Sequence, residues 1–128
     1  MFADTHTKVG VVPGWGMTQR LPRLIGIGQA KEMSFSGRKV NAELALAWGL
    51  VNRVFPENKL LEEAIKLATE IAGNNQTVVG RIKHLIDHGI NLPLDLAMDY
   101  ESQISHKHND TLNVTGMSDK LTELRNKK

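Results

Sequence analysis

Through the second half of the chain, apolar side chains recur every third or fourth position. Leu61, Ala64, Ile65, Ala68, Ile71 and Ala72 share one face, and Glu62, Glu63, Lys66 and Glu70 lie opposite them. That spacing predicts an amphipathic helix from Glu57 to the stop at Gly73, with i,i+4 pairs Glu62–Lys66 and Lys66–Glu70 on its outer side. Asn75 or Thr77 can begin a second helix, striped by Val78, Ile82, Leu85 and Ile86 and ending at Gly89. Pro93 fits the first turn of a third, with Leu96, Tyr100 and Ile104 stacked four apart. His108 to Thr115 is polar and predicts a loop, and Ser118 to Arg125 predicts a last short helix carrying Leu121 and Leu124. Residues 57–128 therefore read as nearly all helix.

The first 56 residues follow a different rhythm. Val9, Val11 and Val12 form a short apolar run that predicts a strand. Pro13, Gly14 and Gly16 follow as a tight turn, and Met17 to Leu24 predicts a helix that Pro22 breaks or kinks. Gly26 and Gly28 mark a turn, and Gln29 to Phe35 a short helix stopped by Ser36-Gly37. Arg38 to Val40 is extended. Asn41 is placed to cap a helix over Ala42 to Trp48, with Glu43 in its first turn and Gly49 at its end. Leu50 to Phe55 predicts a second strand, closed by Pro56. Small elements punctuated by glycine are α/β in style. The expected organisation is thus 1–56 as an α/β segment and 57–128 as a helical one.

Composition narrows the function classes. The 128 residues suit one domain; 41% are hydrophobic but only 5% aromatic, so the core must be aliphatic. A net charge of +2, scattered along the chain, is no nucleic-acid footprint. No apolar run approaches a membrane span, and no secretory segment opens the chain. The absence of cysteine excludes disulfides and thiolate chemistry and fits a reducing compartment, cytoplasmic or mitochondrial. No metal site is expected. His106 and His108, two apart, would face apart on a helix. His84 and His88 share a face but lack the glutamate of a zincin motif, which reads as a solvated helix side.

The glycine-rich turn is the candidate for chemistry, against the alternative of a plain strand-to-helix turn that binds nothing. A strand that enters a helix within a few residues exposes backbone N–H groups able to hold an anion, a carbonyl oxygen or a water. Gly10, Gly14 and Gly16 run G-x-x-x-G-x-G, which is neither the dinucleotide fingerprint nor a phosphate loop. The run from Phe2 to Leu21 resembles the crotonase (enoyl-CoA hydratase/isomerase) superfamily at the start of its second half. There the family shows Phe-Ala/Gly-x-Pro-Glu-x-x-x-Gly-x-x-Pro-Gly-x-Gly-Gly-Thr-Gln-Arg-Leu. Gly10, Pro13, Gly14, Gly16, Thr18, Gln19, Arg20 and Leu21 fall in place without gaps. The match continues through Ile25-Gly26, Ala30, Met33, Ser36-Gly37, Ala42, Ala45, Gly49-Leu50-Val51 and Val54, and by pattern over about 50 residues more.

The resemblance implies the end of a crotonase-like ββα spiral core followed by the C-terminal helical region that builds the family's trimer or dimer of trimers and helps cover coenzyme A. It implies an acyl-CoA thioester substrate from fatty-acid or amino-acid catabolism and a lyase or isomerase reaction, with coenzyme A entering as part of the substrate and no separate cofactor. It also implies that the family's first glutamate and both oxyanion donors belong to the preceding half, so that weak or no turnover is expected from these residues alone. The second glutamate's position is occupied by His6. Read from its polar neighbours alone, His6 is a surface histidine; read in the family's register, it is the acid/base group. Gly14 would offer a backbone N–H to water or the acyl group, and Trp15 would line the acyl pocket. Arg20, Arg23, Arg81, Lys83, Lys107, Lys120 and Arg125 are the cations available to phosphate. The family's terminal signature is degraded at Leu112 to Met117. The competing expectation is a non-catalytic helical module that self-associates or docks on a partner.

Overall fold

The computed structural model describes residues 1–110 together with Leu112, Met117, Leu121, Thr122, Arg125 and Asn126. The expected helix over 118–125, and the loop and degraded signature beyond 110, lie largely outside the described residues. Seven helices follow in order within the described residues 1–110: α1 (His6–Val9), α2 (Met17–Ile25), α3 (Ile27–Ser36), α4 (Ala42–Ala47), α5 (Glu57–Ala72), α6 (Gln76–Gly89) and α7 (Leu94–Asn109). The chain divides into two compact units, Met1–Leu67 and Ala68–Lys128, with the boundary inside α5.

In the first unit α2 and α3 pack as a pair and α1 lies against α3. The core is small: Met33, Val40 and Ala45 are buried, with Leu21, Leu44, Trp48, Leu50 and Val51 packed around them. Burying a side chain such as Val or Met stabilises by about 1.5–3 kcal/mol. Asn41 caps α4 as expected, its Oδ1 accepting the Leu44 N–H at 2.8 Å. The helix closes on Gly49 at φ +74°, with Gly49 N–H donating to Leu46 O and Leu50 N–H to Ala45 O. That paired closure directs Leu50 inward, onto the core.

Both expected strands are corrected. Among the described residues there is no strand, only a single antiparallel bridge between Phe2 and Val40. Val9 instead ends α1. Gly10, at φ +71°, closes that turn, and Val11 N–H donates back to His6 O at 3.0 Å. Val11 and Val12 are exposed. Leu50 to Phe55 runs as bends and loop. A strand's backbone groups need a neighbouring strand to pair with, and no described residue supplies one for either run. Apolar composition alone does not make a ladder. Pro22 does not break the helix: it sits inside α2, which continues to Ile25, and Gly26 N–H closes the last turn on Pro22 O. Likewise Gly28 lies within α3 rather than in a turn.

In the second unit α6 and α7 pack together. Asn75 Oδ1 accepts the Val78 N–H at 3.2 Å and starts α6. The α5–α6 corner is tied by Gln76 Nε2, which donates to the carbonyls of Ile71, Ala72 and Asn74. α7 begins just after Pro93 and runs through His108 to Asn109, so the expected loop starts later than its composition suggests. Its α6-facing side holds Ala97, whose Cβ is 3.6 Å from where a Cβ on Gly89 would stand, and Tyr100, bonded to His84. Leu96 is exposed, away from that seam. Helix α5 buries none of its residues; Leu61, Ile65 and Ile71 are all exposed.

Candidate active site

The site grows from the first eight residues. The Phe2–Val40 bridge exchanges two short backbone bonds, 2.8 Å and 2.7 Å, and pins the start of the chain to the loop after α3. Thr7 Oγ1 donates to Ser34 O at 2.9 Å and pins the other side. Gly37, at φ +57°, lets Lys8 cross the end of α3: a Cβ there would come within 2.7 Å of the Lys8 side chain.

Between these anchors Asp4 is driven inward to 2% exposure, the one buried charged residue among those described. Its Oδ1 accepts the His6 backbone N–H at 3.2 Å and lies 2.6 Å from His6 Nδ1. An Asp bonding the backbone two residues on forms an Asx turn, which explains why α1 begins here. Oδ2 is buried without a hydrogen bond. Burial by itself would raise the Asp4 pKa. The His6 ring, the Ser34 hydroxyl and the His6 N–H outweigh it and hold the carboxyl below its ordinary range. The His6 side chain is a quarter exposed, so it is neither a free surface histidine nor a core one.

His6 and Trp15 come together, their rings edge to face with centroids 6.5 Å apart. Trp15 is otherwise 86% exposed and stands as an open aromatic face beside the dyad. Gly14 precedes it with open space over its Cα; the residues of the turn that need positive φ are Gly10 and Gly16. The residue that sequence reasoning passed over is Asp4. The Asp-x-His spacing of an Asx turn was the available signal; its burial under α3 was not. Ser34 carried no signal in the chain.

Other candidate groups lie elsewhere. Arg23 is turned back on its own helix, donating to Gln19 O and Oε1, and Lys83 is paired with Asp87. Arg81 and Lys107 share a shallow cleft with His84 between α6 and α7. The His84 and His88 rings are stacked 5.9 Å apart, and His84 Nε2 is 2.8 Å from the Tyr100 hydroxyl. Both histidines are exposed, as expected of a solvated helix face, and Tyr100 of α7 meets them there. Lys120 lies outside the described residues. No helix among the described residues is long and apolar enough to cross a membrane.

Comparison with known proteins gives this arrangement its family. The profile of the enoyl-CoA hydratase/isomerase family matches residues 1–126. A probable peroxisomal enoyl-CoA hydratase of Arabidopsis thaliana is 37% identical over 107 residues, covering 84% of this chain and 40% of that protein. A probable mitochondrial enoyl-CoA hydratase of Dictyostelium discoideum is 36% identical, covering 83% and 38%. The crystal structure of an enoyl-CoA hydratase from Bacillus anthracis superposes with a TM-score of 0.83 at 37% identity, over 97% of this chain and 47% of that one. The chain thus spans less than half the length of these relatives. With the family profile running along nearly its whole length and the fold agreeing, the chain belongs to the enoyl-CoA hydratase/isomerase family of the crotonase superfamily.

Proposed function

We propose that these 128 residues supply the acid/base histidine, one wall of the acyl pocket and the associating helices of an enoyl-CoA hydratase/isomerase-like protein acting on an acyl-CoA thioester. The observation that carries this reading is His6. By resemblance it takes the family's glutamate position, and it is held at 2.6 Å by a buried carboxylate and flanked by an exposed tryptophan. Trp15 offers an apolar face to the acyl chain, and the Gly14 backbone has room for a water or a carbonyl oxygen above it. The oxyanion donors that steady the developing enolate are taken, by resemblance, to lie outside these residues. Loss of one such donor costs about 10²–10³ in rate, so the isolated chain binds an acyl-CoA weakly and turns it over little or not at all.

A second observation supports association as part of the role. Leu61, Ile65 and Ile71 on α5 are exposed, and α6 and α7 leave an open groove lined by Val78, Ile82, Leu85, Ile86, Ile90 and Leu94. Apolar faces of this extent mark interaction surfaces. They fit a homo-oligomer, a trimer or dimer of trimers in the family's manner.

The test uses crotonyl-CoA and the 128-residue chain. Hydration is followed at the thioester absorbance, and binding by quenching of tryptophan emission with Trp15→Phe as the control. Weak quenching that depends on Trp15, with turnover far below the family's ordinary range, is expected. Family-typical turnover by this chain would overturn the division of labour, and absence of any Trp15-dependent binding would overturn the acyl-pocket assignment.

A further inference from the structure

We propose that Asp4 is a positioning residue that fixes the tautomer of His6 and makes Nε2 the working atom of the site. The argument starts from proton counting. An ionised carboxylate only accepts hydrogen bonds, so the proton in the 2.6 Å contact between His6 Nδ1 and Asp4 Oδ1 belongs to the ring. A neutral imidazole carries one ring proton. Held on Nδ1, it leaves Nε2 as a bare lone pair. The same oxygen also accepts the His6 backbone N–H, so one buried atom fixes both the backbone and the ring of His6. An Asx turn needs only the backbone bond; the ring bond is what goes beyond capping α1.

The carboxylate also sets the direction of proton transfer. With the ring proton engaged on Asp4 Oδ1, the free lone pair at Nε2 can accept a proton but has none to give. The pair therefore works first as a base. A histidine alone lacks the negative charge of the glutamate it stands for; with Asp4 behind it, that charge is present at one remove.

On the acyl-CoA reading above, on which this step rests, Nε2 takes one proton from a water whose oxygen bonds to the β-carbon of the enoyl group. The double-bond electrons pass to the α-carbon and thioester carbonyl as an enolate. Nε2 then returns the proton to the α-carbon. Water has added across the double bond, the ring ends neutral, and Asp4 stays ionised throughout. One imidazole does what two carboxylates share in the family's hydratases.

The tautomer can be read without substrate. Long-range proton–nitrogen correlation spectra of the ¹⁵N-labelled 128-residue chain, recorded where the rings are neutral and assigned by His6→Gln, report which ring nitrogen is protonated. His6 is expected in the Nδ1–H form with a strongly downfield Nδ1 proton. Asp4→Asn keeps an Oδ1 acceptor for the Asx turn but removes the charge; the Nδ1 proton should move upfield. Asp4→Ala removes the acceptor, and the tautomer ratio should swing at least about tenfold toward Nε2–H. The signals of the other four histidines and of Trp48 report folding in each variant. An Nε2–H form of His6 in the unmodified chain would overturn the proposal even if Asp4→Ala does not fold, as would an Nδ1 proton that ignores Asp4→Asn. An intact Nδ1–H tautomer in a chain that binds no acyl-CoA would refute the substrate reading and leave the role of Asp4 standing.

Discussion

Val40→Ala should test whether the first unit is built as described. Val40 is fully buried, and it carries the bridge to Phe2, two residues before Asp4. The substitution removes two methyl groups from a cluster of Met33, Ala45, Leu21, Leu44, Trp48, Leu50 and Val51. The transfer part is about 0.8 kcal/mol per group, near 1.6 kcal/mol in all. The cavity adds to it, because helices α3 and α4 are fixed by their own caps and cannot close fully over the gap. The expected loss is about 2–3 kcal/mol. With Trp15→Phe in the background, Trp48 is the sole tryptophan and sits in the affected cluster. Urea unfolding followed by its emission should show the midpoint lowered by roughly 1–2 M with an unchanged slope. A midpoint that moves by less than about 0.3 M would mean that the core is not centred on Val40, and the anchoring of the Asp4–His6 pair through Phe2 would fall with it.

Asn41→Ala removes the side-chain acceptor of the Leu44 N–H and should cost about 1 kcal/mol in the same unfolding assay, whereas Asn41→Asp should be nearly neutral. Asp4 gives a pH dependence of known sign. Its carboxyl is held below its ordinary range in the folded chain, so its contribution is fully present above the unfolded value, about 3.9, and is lost as pH falls through the folded one. Below about pH 4 the difference in melting temperature between the unmodified chain and Asp4→Asn should shrink as the pH falls; a difference that grows over that acid range would contradict the assignment. Replacing Leu61 and Ile65 by glutamate places charge on the exposed stripe of α5 without touching any buried residue. Sedimentation should show self-association of the unmodified chain reduced in that variant, while a clean monomer before substitution would remove the associating role.

The helices were legible because their signals are local. Asn41 and Asn75 sit where the caps form, Gly37 and Gly49 adopt the left-handed angles that stop α3 and α4, and the long apolar stripe of α5 delivers its helix at Glu57–Ala72. The strands were misread because a strand is not a local object. Val9, Val11 and Val12 satisfy a composition rule, but the Asx turn at Asp4 and the left-handed Gly10 between them close a helical turn first. The exposed stripe of α5 makes the same point: periodicity tells which face is apolar, and only a neighbour decides whether that face is covered.

The site shows the same division more sharply. His6 was visible because a family register singles out its position, and Trp15 because an indole in a glycine-rich turn is conspicuous. Asp4 was overlooked because its sequence context, Ala3-Asp4-Thr5-His6, is polar and short, the composition of an exposed N-terminal stretch. What converts that stretch into a dyad is contact from far along the chain: Val40 holding Phe2, Ser34 holding Thr7, and Gly37 giving way to Lys8. Each of those three residues lies in α3 or just after it. The placement of the His6 ring therefore depends less on the glycine turn that follows it than on how firmly the end of α3 is fixed, and substitutions around residues 33–40 should disturb that ring before substitutions at Gly14 do.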